Sequence, residues 1–229
     1  MTVDYSSFAK ASTLIHLFQG IALIGLGAAE AYALDNPGRK APLFSALLLA
    51  ACGAAGVVAV LALPGGWSLE QLGVALNLRR GFYLFIAFSC LFCAAGLSRV
   101  TQTAIGRDGG GWRNLFLLLL AAAGALYFLL AWRVNVEVRR EVLVLHSTMG
   151  VTLLLAVAAK AAHIITGRRR LHIAWAVLLL VTGLQLATYR EKREAFEIRL
   201  ITMQAGPQNG LPPAKAIDAS TADKERPRR

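Results

Sequence analysis

The chain has 229 residues, 56% of them hydrophobic and only 16% charged, and its 24 lysines and arginines against 13 acids give a formal net charge of +11. The charges fall between long apolar runs, which excludes an ordinary soluble domain and marks an all-α, multi-pass membrane protein. The basic excess sits at the ends of those runs, where lipid phosphates and topology account for it, so no nucleic-acid partner is expected.

Six segments reach the roughly 20 apolar residues that cross a bilayer as a helix. They are 11–34, 41–63, 81–99, 113–133, 142–166 and 171–190. Their length and the lack of period-two alternation exclude strands. No charged n-region with a cleavage site precedes the first, which is therefore read as a span and not as a removable signal.

The first helix is expected to start after Ser12 or Thr13 and to stop at the turn formers Asp35-Asn36-Pro37-Gly38. Small residues around Gly53 and Gly56 suit the second to close packing, and Pro64-Gly65-Gly66 ends it. Between spans two and three, Ser68 and Gln71 have capping-box spacing and Leu69, Leu72 and Leu76 share a face. A short helix lying in the membrane interface is expected there, with Trp67 at headgroup depth. Gly109-Gly110-Gly111 joins spans three and four, and the arginines 168–170 make a tight turn between spans five and six. After Arg190 the last helix is expected to run on, charged and amphipathic, to about Met203. Residues 1–204 form one transmembrane domain on this reading, and 205–229, rich in Pro, Ala and charge, a disordered basic tail.

Lys and Arg near the membrane number ten on the side holding both termini and eight on the other, where Arg168, Arg169 and Arg170 are the main counterweight. That favours cytoplasmic termini in a bacterial-type inner (plasma) membrane. Cys52, Cys90 and Cys93 all lie inside apolar runs, where they read as small packing residues and imply no disulfide framework.

Two stretches follow one plan. Span one carries His16, Gly20 four residues on and Glu30 fourteen on; span five carries His146, Gly150 and Lys160 at the same offsets. In a helix a step of four nearly keeps the face, and a step of fourteen returns to within about 40° of it, about 21 Å along the axis. Spans one and five run in the same direction, so as neighbours they would bring the histidines together at one depth and the charges at another. A charge in hydrocarbon costs on the order of 2.5–3.5 kcal/mol, and a Glu30–Lys160 pair would offset it. Separate snorkelling to the headgroups is the alternative.

Two histidines on facing helices, each with a glycine one turn away, suit a six-coordinate haem: imidazoles as axial ligands, glycines leaving room for the porphyrin edge. The stretch Leu145-His146-Ser147-Thr148-Met149-Gly150-Val151, with Arg170-Leu171-His172-Ile173 opening the last span, is similar to helix starts of the cytochrome b561 superfamily. The resemblance covers 142–190 plus His16, and it implies haem b and electron transfer with quinone or a redox partner subunit. That family carries histidines on four central helices, whereas spans two, three and four here have none. His163 and His172, on the opposite side, are candidates for a second haem or a metal. The reading from another class is a cofactor-free scaffold, assembly subunit or small transporter using Glu30 and Lys160. No nucleotide loop, zinc-protease motif or nucleophile elbow points to a catalytic residue.

Overall fold

The structure, a computed structural model, describes residues 5–38, 40–78, 80–106, 111–191 and 195–196. Helices are α1 Tyr5–Ala33, α2 Lys40–Ala62, α3 Leu69–Leu78, α4 Tyr83–Ile105, α5 Trp112–Leu126, α6 Val136–Thr166 and α7 Arg169–Thr188. Short 3-10 segments cover Arg80–Phe82 and Tyr127–Arg133. All but α3 are long and apolar enough to cross a membrane, α5 together with its 3-10 continuation, so the six expected spans are all present. The expected tail, 205–229, and most of the proposed extension to Met203 lie outside the described residues.

Three ends differ from expectation, each for a packing reason. The first helix is already formed at Tyr5, the first described residue, and does not begin after Ser12 or Thr13, because its early turns are buried: Phe8 is fully enclosed and meets the Phe82 ring edge-on at 4.7 Å. Ser12 is thus an interior residue, not a cap. The third span does not stop at Arg99; hydroxyls of Thr101 and Thr103 bond back to the carbonyls of Leu97 and Arg99, and α4 continues to Ile105 before Gly106 turns with φ 105°. The last helix does not continue past Arg190. It ends at Thr188, and Tyr189 is extended at φ −68°, ψ 133°. The charged stretch before span five is helical from Val136, so α6 runs for 31 residues.

The spans pack in a closed ring, α1 on α2, α2 on α4, α4 on α5, α5 on α6, α6 on α7 and α7 back on α1. Adjacent spans in the chain are therefore adjacent in space, and the two end spans close the bundle. Leu23, Leu26, Phe88, Phe92, Leu120, Leu153, Trp175 and Leu179 fill the middle. The expectation that spans one and five are immediate neighbours is corrected: α7 stands between α1 and α6 around the ring. The two helices instead face each other across the interior, where the side chains His16 and His146, and Glu30 and Lys160, meet.

Close approach is set by small residues. A side chain on Gly53 would run into the Cys93 backbone, and one on Gly96 into the backbone of Ala50, so α2 and α4 are locked from both sides. Neither contact can be relieved by turning a flexible side chain. Gly53→Val is expected to destabilise by about 3 kcal/mol, the upper end for overpacking; a melting curve in detergent matching wild type would contradict this packing.

The ten-residue helix α3 is present and capped as its sequence suggests, the Gln71 amide donating to Ser68 Oγ at 3.4 Å. Leu76 is buried and Leu72 partly so, but Leu69 is exposed, so the expected three-leucine face is only two-thirds used.

Candidate functional site

Both matched pairs meet. His16 and His146 are enclosed in the bundle, 1% and 0% exposed, with their Nε2 atoms 3.2 Å apart. Each ring is aimed by its own helix: His16 Nδ1 is 2.7 Å from the Ser12 carbonyl and His146 Nδ1 is 2.8 Å from that of Val142, one turn earlier in each case. A carbonyl only accepts, so each Nδ1 carries a proton and donates it. The Nε2 lone pairs then converge on one point. With both Nδ1 protons engaged, two neutral imidazoles have none left for the Nε2–Nε2 contact, an arrangement that a shared proton or a metal ion would close.

The surroundings are aromatic and acidic. Tyr189 lies beside both imidazoles, at centroid distances of 4.7 Å and 4.9 Å, with Phe85 and Tyr127 packed further out. Tyr127 donates to Gln19 Oε1. The carboxylate of Glu191, 9% exposed, accepts from Ser12 Oγ at 2.8 Å and from the Tyr189 hydroxyl at 3.0 Å. It brings a negative charge close to the histidine pair through Ser12. A cavity of about 370 Å³ opens beside Tyr189 and Met149, with Gln185, Arg190 and Glu191 on its wall.

In chemical type alone the pair suits haem iron, two buried imidazoles anchored at Nδ1 and convergent at Nε2. The spacing is tighter. Metal–imidazole bonds of about 2 Å would set the nitrogens about 4 Å apart, and the observed 3.2 Å is that of a shared hydrogen bond. The glycines do not leave the expected room. Gly20 faces Gly183 and Ala187 of α7, and Gly150 faces Gly124, Tyr127 and Phe128, so both serve helix packing.

At the other level Glu30, 4% exposed, is the centre of a larger cluster than expected. Lys160 Nζ lies 2.7 Å from its Oε2, as the spacing foretold, and Arg99 Nη2 lies 2.5 Å from its Oε1. His172 joins from α7: its Nε2 is 3.2 Å from Glu30 and its Nδ1 is 3.4 Å from Lys160 Nζ. The ammonium donates, so Nδ1 accepts and the ring proton is on Nε2; both nitrogens of His172 are engaged inside this cluster. His163 meets the His172 ring edge-on at 4.9 Å, and its Nδ1 donates to the Arg168 carbonyl at 3.0 Å. These two histidines are neighbours, but apart from the first pair.

Sequence reasoning missed Ser12, Arg99, Tyr189 and Glu191. Arg99 was readable in principle, since the threonines after it continue a helical pattern and leave the arginine inside the span. Tyr189 and Glu191 reach the histidines only because α7 stops short, and the apolar periodicity carries no sign of that stop.

These features define the class as a multi-pass helical membrane protein with a buried histidine pair at one level and a buried charge cluster at the other. No family model, curated protein or solved structure matches the chain.

Proposed function

We propose that the protein carries electrons within a membrane, with His16 and His146 as the residues that would hold haem b and with quinone or a redox partner subunit as exchange partner. The observation that carries this is the convergence of two Nε2 lone pairs whose Nδ1 protons are both engaged by backbone carbonyls. The similarity of 142–190 to the cytochrome b561 superfamily points to the same chemistry. When bound, the haem supplies one-electron redox chemistry. The chain's own residues orient and enclose: Ser12 and Val142 fix the imidazole planes, Phe85, Tyr127 and Tyr189 exclude water, and the Glu191 carboxylate offsets positive charge at the pair. The basic residues at the two sets of ends favour an inner (plasma) membrane with both termini cytoplasmic. Exposed Trp67 and Leu69 suit α3 to a position at headgroup depth.

Protein purified from haem-replete cells is expected to give a reduced-minus-oxidised haem-b spectrum at about one haem per chain. A colourless preparation overturns the proposal. The 3.2 Å spacing and the place taken by Tyr189 favour a second reading, a cofactor-free scaffold, assembly subunit or small transporter built on the Glu30–Lys160 pair. That reading requires the colourless result.

A further inference from the structure

The cavity of about 370 Å³ lies between the first half of α6 and the end of α7, and its size suits a small molecule. Its wall is divided. α6 contributes the apolar Val142, Leu145 and Met149, and α7 contributes Gln185 and Thr188, with Tyr189 following directly. Leu145 is 39% exposed on the outside of the bundle, so in a membrane the cavity is reached from the lipid side. A second hollow of about 490 Å³, bordered by Arg140 and Val144, shares Glu141 and Leu145 with the first. The two together run along α6, with room for a ring in one and an attached chain in the other.

Of the side-chain donors that these two helices place on the wall, one is uncommitted. The Thr148 and Thr188 hydroxyls donate to carbonyls of their own helices, Leu145 at 2.7 Å and Leu184 at 2.8 Å. Gln185 accepts from the Thr152 hydroxyl through Oε1 at 3.0 Å, and Thr152 lies off the cavity wall. The amide nitrogen is therefore the end that Gln185 leaves to the cavity, with two N–H donors and no acceptor among the described residues. An amide donor among apolar side chains is costly while unmet, and an acceptor on a ligand removes that cost. Charge narrows the class of ligand. The carboxylates of Glu141 and Glu191 stand on the wall against the guanidinium of Arg190, which already donates to the Ala187 and Tyr189 carbonyls. Such a wall disfavours a phosphate or carboxylate head and suits a neutral one.

We infer that this cavity binds the ring of a neutral, lipid-soluble molecule bearing a carbonyl acceptor, the chemical class of quinones, with Gln185 Nε2 donating to that carbonyl. Val142, Leu145 and Met149 enclose the ring, and the chain attached to it leaves past Val144. Tyr189 borders the cavity and lies against both imidazoles, which puts the occupant one side chain away from the histidine pair. That the occupant exchanges electrons rests on the proposed function; that it binds does not. Gln185 determines specificity, selecting a ring with an acceptor over hydrocarbon of the same size.

The test uses full-length protein in neutral detergent, stripped of lipid, with thermal unfolding followed against three probes. They are decylubiquinone, decylbenzene, which has a ring and the same chain but no carbonyl, and the anionic oleate. A saturable rise in Tm with decylubiquinone that neither other probe gives is expected. Gln185→Leu should weaken the midpoint at least tenfold, and Leu145→Trp, which adds bulk at an exposed position, should remove the rise. No rise with decylubiquinone, or an equal rise with decylbenzene or oleate, overturns the proposal, as does either variant, folded, responding like wild type. Should neither variant fold, the comparison of probes on the wild-type protein decides. The haem spectrum is read on the same samples. Binding by colourless protein keeps the site and overturns electron transfer, whereas a haem band without binding overturns the site and leaves electron transfer standing.

Discussion

Glu30→Gln is expected to be the most damaging single substitution in the bundle. It leaves the Arg99 guanidinium and the Lys160 ammonium, whose side chains are 12% and 10% exposed, facing an amide in place of a carboxylate. Breaking a buried pair by removing one partner costs about 3–5 kcal/mol, because the remaining charge stays desolvated. Here two cations are stranded and repel each other, which places the cost at the upper end. In a chain of this size that is a fall in Tm on the order of 10 °C. Lys160→Met alone should cost less, since Arg99 and His172 still serve the carboxylate. Combining it with Glu30→Gln should recover part of the loss, because one uncompensated ammonium is gone. Thermal melting of the four proteins of this cycle gives the coupling directly. A Glu30→Gln variant melting within 2 °C of wild type would mean that water or lipid headgroups already satisfy the cluster.

The second large effect is at the histidines. His16→Leu and His146→Leu are each expected to abolish the haem-b band while leaving the bundle monodisperse on size exclusion. The Glu30 cluster lies about 21 Å farther along the helices and is not disturbed. Each single variant should also lose about 1–3 kcal/mol, since the surviving imidazole keeps a buried nitrogen without its partner. The double variant should be no worse than either single one, because the lone pair left facing leucine is removed with the second ring. An unaltered spectrum in either single variant would remove that histidine from the ligand set. If no haem is present at all, the stability pattern still reports whether the two rings act as a pair.

The spans and the pairing of positions were legible because each rests on a simple repeat. Apolar length gave six crossings, and the fourteen-residue offset from His to charge gave two levels. Glu30 with Lys160 and His16 with His146 followed from depth alone, even though the presumed helix adjacency was wrong. Depth is read along one helix, whereas neighbourhood depends on how six helices arrange themselves, and α7 is wedged between α1 and α6 by small-residue contacts such as Gly20 against Gly183. Those contacts also explain why Gly20 and Gly150 were misjudged. A glycine leaves a gap on paper, and in a packed bundle a neighbouring backbone fills it. The site's other members come from helix ends, set by local hydrogen bonding: the threonine back-bonds that carry α4 past Arg99, and the extended Tyr189 that turns the chain towards Ser12.

The order of the ring also constrains how the molecule is made. Glu30 is synthesised 69 residues before Arg99 and 130 before Lys160, and His16 waits 130 residues for His146. A nascent chain that has threaded only its first two helices into the bilayer therefore carries an acid with neither of its later cations. α1 cannot complete its packing until α7, the sixth span in chain order, arrives to cover Gly20. Closure is in consequence a late event of biogenesis, and a stalled or truncated chain exposes to lipid the same polar stripe that the finished protein keeps inside.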